Sequence, residues 1–216
     1  MRSQNYTLPN GWFLVTEISS HLIEKLHLGE VIVFPTSTQP GLASLLIAES
    51  LNTLFSIKSR DADKPVSIGV SSLEDVVGIA HIPEYAADFI DSFPAGSLTL
   101  LLDAVEEVDA RIGGNRIAVR VFSHPVAKAL AKVVGPITAT SANLAGQEVE
   151  GDVFSAAKSL GLGPDSVLQG ECEGGKPSTL VRFETENIAS EVPSVIVMRE
   201  GVVSIQDVVA WQPKER

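Results

Sequence analysis

Four apolar residues in a row, Val31-Ile32-Val33-Phe34, run straight into Pro35. A segment this short, rich in β-branched residues and without polar alternation, fits a strand buried on both faces in a largely parallel sheet. Pro35, lacking an N–H, closes it. Upstream, apolar residues at 18, 22, 23 and 26 lay a helical stripe along residues 18–28, and Gly29 punctuates it. Downstream, Pro35-Thr36-Ser37-Thr38-Gln39-Pro40-Gly41 puts hydroxyls at the C-terminal end of the strand, where open α/β sheets commonly take ligands. Apolar positions 47, 51, 54 and 55 then keep a 3.6-residue period, which predicts a helix over residues 42–57.

The remaining chain repeats the interleaving. Val66, Ile68 and Val70 alternate with Ser67 and Gly69, as in a strand with one polar face, and Ser72 with Asp75 form a capping box for a short helix. Residues 83–93 give the strongest helical pattern, opened by Pro83 and closed by Pro94. Strands over 97–103 and 117–122 flank a Gly113-Gly114-Asn115 turn; paired as a hairpin, they make the sheet mixed. A helix is expected over 125–134, then the small and hydroxyl-bearing run Thr138-Ala139-Thr140-Ser141-Ala142-Asn143. A helix near 152–160, strands near 166–169, 178–183 and 194–199 and a helix near 204–211 complete an α/β fold, expected as a single domain over residues 1–216.

Several functions are disfavoured. A net charge of −11 argues against broad electrostatic capture of nucleic acid, leaving room only for a local basic groove. The single cysteine, Cys172, rules out an internal disulfide, no apolar run reaches membrane-spanning length, and the N-terminus has no signal-peptide core, so a soluble, cytoplasmic protein without a membrane partner is expected. Neither a G-x-x-x-x-G-K-[ST] loop nor a G-x-G-x-x-G turn occurs, nor a G-x-S-x-G elbow. His21, His27, His81 and His124 show no metal-ligand spacing; His124, before Pro125, reads as a helix cap or a surface residue rather than a base. Glu106, Glu107 and Asp109 read as a solvated turn.

Against that acidic background, Lys58, Arg60 and Lys64 place three cations within seven residues. Such a cluster suits an anionic ligand, and it equally suits a solvated helix end complementing the helix dipole. Ser141 and Asn143 lie two apart after a strand, so in extended backbone their side chains share a face. Lysine and arginine match phosphate oxygens, while serine and asparagine can bond a ribose, phosphate or carboxylate, or close a turn.

Taken in order, Pro35-Thr36-x-Thr38-x-x-Gly41-Leu42, Lys58-x-Arg60 with Lys64-Pro65, Phe93-Pro94 with Leu98-Thr99, Ala118-Val119-Arg120-Val121 with His124-Pro125, Thr140-Ser141-Ala142-Asn143-x-x-Gly146, Pro177-Ser178-Thr179 and Arg199-x-Gly201 resemble the YrdC family. Its best-known members are threonylcarbamoyl-AMP synthases, and the likeness spans about residues 30–201. The resemblance implies a twisted mixed α/β sheet with a large concave cleft, and a reaction of ATP, L-threonine and bicarbonate giving threonylcarbamoyl-AMP and pyrophosphate toward the t6A modification of tRNA. It carries catalytic roles to Lys58, Arg60, Ser141 and Asn143, and substrate or ATP contacts to Thr36, Thr38, Arg120, Ser178 and Arg199. It also implies Mg2+ accompanying the nucleotide without a dedicated protein metal site, t6A-pathway proteins downstream, and a short form without a long extension after Gly201. Ser37, Pro40 and Ala43 depart from the family's usual acid, tyrosine and glycine in the first loop, on the amino-acid side of the cleft. Two alternatives follow: a carbamoyl-adenylate enzyme for another acceptor, and a non-catalytic paralogue binding nucleotide, tRNA or double-stranded RNA.

Overall fold

The computed structural model describes residues 18–184 and 194–213, together with two short paired strands ahead of them, β1 (Tyr6–Thr7) and β2 (Phe13–Leu14). Helix α1 (Ser20–His27) leads into β3 (Ile32–Phe34), whose residues are fully buried as the apolar run predicts. The partner of β3 differs from expectation. Thr36 Oγ1 donates to the Gln39 carbonyl at 2.7 Å and accepts from the Thr38 amide at 3.1 Å, so the 35–40 loop turns back on itself. The chain returns as β4 (Gly41–Ala43), antiparallel to β3. A three-stranded sheet in the order β3-β4-β9, with β9 at Thr140–Ser141, replaces the expected parallel neighbours. The helix that follows, α2 (Ala48–Lys58), therefore begins six residues later than its apolar period suggests.

The larger sheet has six strands. Along the chain, β5 (Ile68–Val70) is followed by a short 3-10 turn with the expected Ser72–Asp75 capping box, by α3 (Ala86–Asp91), and by β6 (Leu98–Asp103) and β7 (Arg116–Val121), the anticipated antiparallel hairpin. Then come α4 (Pro125–Val134), β8 (Ile137–Thr138), α5 (Val153–Ser159), β10 (Thr179–Glu184), β11 (Ser194–Arg199) and α6 (Ile205–Val209). The order across the sheet is β11-β10-β6-β7-β5-β8, with β10–β6 and β5–β7 parallel and the other pairs antiparallel, so the sheet is mixed. A bridge between Leu45 and Ile137 ties the two sheets, reinforced by Thr138 Oγ1, which donates to the Leu42 carbonyl at 3.1 Å and accepts from the Ser44 amide at 2.9 Å.

Four further expectations shift. The helix read over 83–93 is confined to Ala86–Asp91, because the chain ahead of it is still a turn at Pro83–Tyr85. The strand read over 166–169 is a 3-10 turn, Pro164–Ser166, followed by a single bridge from Val167 to Val33. The strand read over 66–70 is shortened to Ile68–Val70; half-buried Ser67 lines a cavity, and Gly69 backs onto Phe122 so closely that a Cβ would lie 1.9 Å from the ring. Asp109, read as solvated, is half-buried and caps a turn while pairing with Arg111 at 2.6 Å.

Alternation along β3 divides the apolar interior. Val33, with Val31 just before the strand, packs with β5, β6, β7 and α5; Ile32 and Phe34 pack with α1, α4 and Phe122. Phe34 and Phe122 meet edge to face at 5.5 Å, and Phe89 contacts Phe93, Phe183 and Trp211 at 5.1, 5.2 and 4.9 Å. Phe34 and Phe89, both fully buried, each contribute about 2 kcal/mol from removal of apolar surface. The same alternation on β6 and β7 leaves Thr99, Leu101, Ala118 and Arg120 on the opposite face, where Leu101 pairs directly with Ala118.

Candidate active site

That face, the 36–41 loop and the end of β9 enclose a cavity of about 510 Å³, a size suited to a nucleotide-scale ligand. Among the described residues its walls carry Arg60, Arg116, Arg120 and Arg199 and no carboxylate. Arg116 is paired with Asp103 at 3.2 Å, whereas Arg60, Arg120 and Arg199 have no carboxylate within salt-bridge distance among the described residues. In a chain of net charge −11, three guanidiniums around one cavity with no carboxylate at salt-bridge distance among the described residues concentrate a positive field where an anion can enter.

The three cations of the 58–64 segment have three fates. Lys64 pairs with Asp61 at 2.6 Å on the surface. Arg60 reaches the cavity, its Nε donating to the Lys64 carbonyl at 2.6 Å and its Nη2 to the Pro65 carbonyl at 3.1 Å. Lys58 turns inward and is 1% exposed. Its Nζ donates to the Ser141 carbonyl, to the Asn143 carbonyl at 2.7 Å and to Asn143 Oδ1 at 3.3 Å. Burial, with Arg60 adding a like charge, pushes the Lys58 ammonium down to about 8. The divergence is local: Ser59 caps α2 in the left-handed region at φ 47°, which aims its two neighbours apart.

Ser141 Oγ donates to Asn143 Oδ1 at 2.6 Å, so the two side chains do share a side, and Asn143 Nδ2 donates to the Gln147 carbonyl at 2.5 Å. Arg120, 8% exposed, is held by its Nε on the Gly96 carbonyl at 3.0 Å and by Nη2 on Ser37 Oγ at 3.2 Å and Thr38 Oγ1 at 3.3 Å. Burial and the neighbouring Arg199 lower it to about 10. Arg199 Nη2 donates to the Ser178 carbonyl at 3.0 Å, and Ser178 Oγ meets Thr99 Oγ1 at 2.7 Å. The Cys172–Gly175 segment is anchored over the loop: the Gly174 amide donates to the Thr38 carbonyl at 2.6 Å, and Gln39 Nε2 to the Gly175 carbonyl at 3.3 Å.

Of the nine site residues singled out in the sequence, Thr36, Thr38, Arg60, Arg120, Ser141, Ser178 and Arg199 line the cavity. Lys58 and Asn143 stand behind Ser141, one layer away. His124 caps α4 by accepting from the Val126 amide at Nδ1, 3.2 Å, and burial lowers it to about 4, leaving the ring neutral with its proton on Nε2 toward the Glu171 carbonyl at 3.0 Å.

Residues 24–201 match the family model for Sua5, YciO and YrdC, described as "Telomere recombination". The chain belongs to the Sua5/YciO/YrdC family. A Methanocaldococcus jannaschii protein provisionally named a threonylcarbamoyl-AMP synthase is 31% identical over 180 residues, covering 82% of this chain and 83% of the relative. A Vibrio campbellii protein named threonylcarbamoyl-AMP synthase is 29% identical over 175 residues, covering 77% of this chain and 95% of the relative. The crystal structure of Pyrococcus abyssi Sua5 complexed with L-threonine superposes with a TM-score of 0.72 at 27% identity, over 90% of this chain. This chain spans 58% of that Sua5 chain.

Within this Sua5/YciO/YrdC fold, sequence reasoning gave no site role to Thr99 or Arg116. The period of two on β7 runs from Arg120 through Ala118 to Arg116 and carries the last of these onto the cavity face. Among the described residues no group of three or more histidine, cysteine or acidic side chains is placed to hold a metal ion, and no helix is long and apolar enough to cross a membrane.

Proposed function

We propose that this chain condenses L-threonine, bicarbonate and ATP into threonylcarbamoyl-AMP with release of pyrophosphate. The observation that carries this reading is the set of three guanidiniums, Arg60, Arg120 and Arg199, with no carboxylate at salt-bridge distance and no acid in the cavity walls among the described residues. Names of relatives at about 30% identity over most of their length supply the reaction class.

Threonine and bicarbonate condense to the carbamate with loss of water. A carbamate oxygen then attacks the α-phosphorus of ATP, the bond from that phosphorus to the β-bridging oxygen breaks, and the electron pair leaves on pyrophosphate. Negative charge therefore grows on the leaving group, where guanidiniums act most strongly in a site screened from water. Arg120 and Arg199, held by backbone carbonyls and hydroxyls, are oriented before substrate arrives. Arg60 brings a third charge, and Ser141 Oγ, its proton given to Asn143 Oδ1, accepts from a ribose hydroxyl. Lys58 serves this step as a positioning residue, since its donors are spent on the 141–143 turn. Thr36, Thr38 and Ser178 complete the polar wall.

The cavity walls offer no carboxylate to a cation. Mg2+ on the phosphates of the bound nucleotide would therefore meet no acidic protein ligand there, and no step above passes through it. The product would feed t6A modification of tRNA in the cytoplasm through proteins acting downstream. A panel of acceptors tests a second reading, adenylation of another carbamate. It is favoured by Ser37, which shares Arg120 Nη2 with Thr38 at the loop where the chain departs from the usual family pattern.

The decisive experiment incubates the purified protein with ATP, bicarbonate and labelled threonine. Pyrophosphate and a threonine-dependent adenylate are expected; release with a different amino acid alone would move the assignment to the second reading, and silence with every acceptor would overturn both.

A further inference from the structure

Arg116, which the proposed reaction leaves without a task, stands at the outer end of the main cavity. On β7, Ile117 and Val119 are buried in the core, so Arg116, Ala118 and Arg120 share the opposite face. Four residues of strand set Arg116 and Arg120 roughly 13 Å apart. The inner end gathers the groups that suit phosphates. Arg120 and Arg199 are neighbours there, Arg199 is held on the Ser178 carbonyl at 3.0 Å, and the Ser178 and Thr99 hydroxyls meet at 2.7 Å. The outer end is of another kind. The Arg116 amide donates to the Gly113 carbonyl at 3.2 Å and the Val66 amide to the Arg111 carbonyl at 2.8 Å, which brings Pro65, Ile112 and Gly113 to this end. Leu101 lies beside Ala118 in register, so the floor is apolar and suits the flat face of a base better than a phosphate.

At the rim Arg116 meets Asp103, its partner in register on β6, and both side chains stand on the cavity face of the sheet. One bond joins them, from Arg116 Nε to Asp103 Oδ1 at 3.2 Å, and the side chains are 55% and 57% exposed. Among the described residues neither Nη of Arg116 nor Oδ2 of Asp103 makes a further hydrogen bond. The backbone beneath them is fixed, the Asp103 carbonyl accepting from the His81 amide at 2.8 Å. Past Leu101 and this pair the wall opens into a further cavity of about 520 Å³, so a ring edge has room to reach the rim. Donors beside an acceptor complement an edge of adenine, where N7 accepts next to an N6 amine that donates. The corresponding edge of guanine carries two acceptors and would set O6 against the carboxylate.

We infer that the Arg116–Asp103 pair selects the base of the bound nucleotide, Arg116 donating to a ring nitrogen of adenine and Asp103 accepting from its exocyclic amine. This role rests on the nucleotide binding proposed above, with the phosphates at Arg120 and Arg199, and not on the identity of the acceptor.

The test is calorimetric titration of the whole protein with ATP, GTP and inorganic tripolyphosphate, without threonine or bicarbonate, at about 0.15 M salt, where charges more than about 8 Å apart are largely screened. ATP is expected to bind at least about tenfold more tightly than GTP, as one well-paired base edge allows. Arg116→Ala should weaken ATP about tenfold and leave tripolyphosphate within about twofold, since the phosphates lie beyond its screened reach. Asp103→Ala should weaken ATP and not GTP, and Asp103→Lys, which sets donors on both sides, should turn the preference toward GTP. Circular dichroism verifies folding, and if Asp103→Ala does not fold Asp103→Lys decides. Equal affinity for the two nucleotides, or a preference for GTP, in the unaltered protein overturns the assignment. So does an ATP-to-GTP ratio unmoved in the Asp103 variants. Tripolyphosphate weakened as much as ATP in Arg116→Ala also overturns it, by making Arg116 a phosphate ligand. A protein that prefers ATP in this way yet releases no pyrophosphate with any acceptor sinks the synthase reading and leaves this one standing; pyrophosphate released from ATP and GTP with equal kcat/KM does the reverse.

Discussion

Lys58 donates from one ammonium to both the backbone carbonyl and the side-chain Oδ1 of Asn143, at 2.7 and 3.3 Å. The pair is separated by 85 residues in sequence, so a buried cation, together with the Ala145 amide on the Lys58 carbonyl at 2.9 Å, fixes the end of α2 to the turn after β9. Lys58→Met removes all three donors. The abandoned carbonyls cost about 1–3 kcal/mol each if they stay dry, but the protein no longer has to bury a charge, so the melting temperature should shift little. Pyrophosphate release should nevertheless fall at least about a hundredfold, from loss of a positioned turn where small misplacements are costly. A melting temperature collapsing with the activity would show that Lys58 is structural first.

The same lysine sets a pH dependence. Its folded value is about 8 against an ordinary 10.5. Between those values the unfolded chain holds the proton and the folded chain has released it, so stability from this group rises with pH across the window. It is complete above about 10.5 and lost as pH falls through about 8. Nucleotide affinity should move the opposite way, weakening as pH rises through about 8 because the neutral amine lacks the third donor. Melting curves of the unaltered protein and Lys58→Met from pH 7 to 10, beside ATP titrations over the same range, check both; parallel stability profiles would remove Lys58 as the source.

Arg120→Lys keeps the charge and loses the fork that spans the Gly96 carbonyl and the Ser37 and Thr38 hydroxyls. Because lysine cannot reproduce a planar multi-donor clamp, KM for ATP should rise about tenfold or more, equivalent to roughly 1.4 kcal/mol. Arg199→Ala should cost a similar factor, and the double variant less than the product of the two, since both cations serve one anion. Strict additivity in ATP titrations would place them on separate groups.

Gly69→Ala tests the floor of the cavity. A Cβ there would stand 1.9 Å from the Phe122 ring, which in turn packs edge to face on Phe34. Overpacking of this kind typically costs about 1–3 kcal/mol, readable as a lower urea midpoint, and displacing Phe122 should also weaken ligand binding in the cavity it lines. An unchanged midpoint would mean that the ring has room to retreat.

How much of this was legible depended on the range of the interaction. Elements set by local chemistry were read well: α4 begins at Pro125 and ends at Val134 as its cap and Gly135 require, the Ser72–Asp75 capping box is present, and His124 is a cap. Elements set by distant partners were not. Nothing in the 3.6 period of residues 42–57 reveals that Gly41–Ala43 will pair with β3 and β9, because that pairing depends on how Thr36 closes the preceding loop. Seven of the nine site residues reach the cavity; Ser141 and Asn143 do bring their side chains together, but through the turn that closes β9 and not through extended backbone. Lys58 and Arg60, also two apart, diverge, because the one residue between them is left-handed.

That left-handed Ser59 makes α2 intolerant of changes in length. Adding or deleting one residue anywhere in Ala48–Lys58 turns the end of the helix by about 100°. The position that now meets Asn143 would then pass to a neighbour of different chemistry, and the guanidinium after it would leave the cavity wall. Single substitutions on the solvent side of α2 should be absorbed, while single-codon insertions or deletions at those same sites should be selected against as firmly as loss of Lys58 itself.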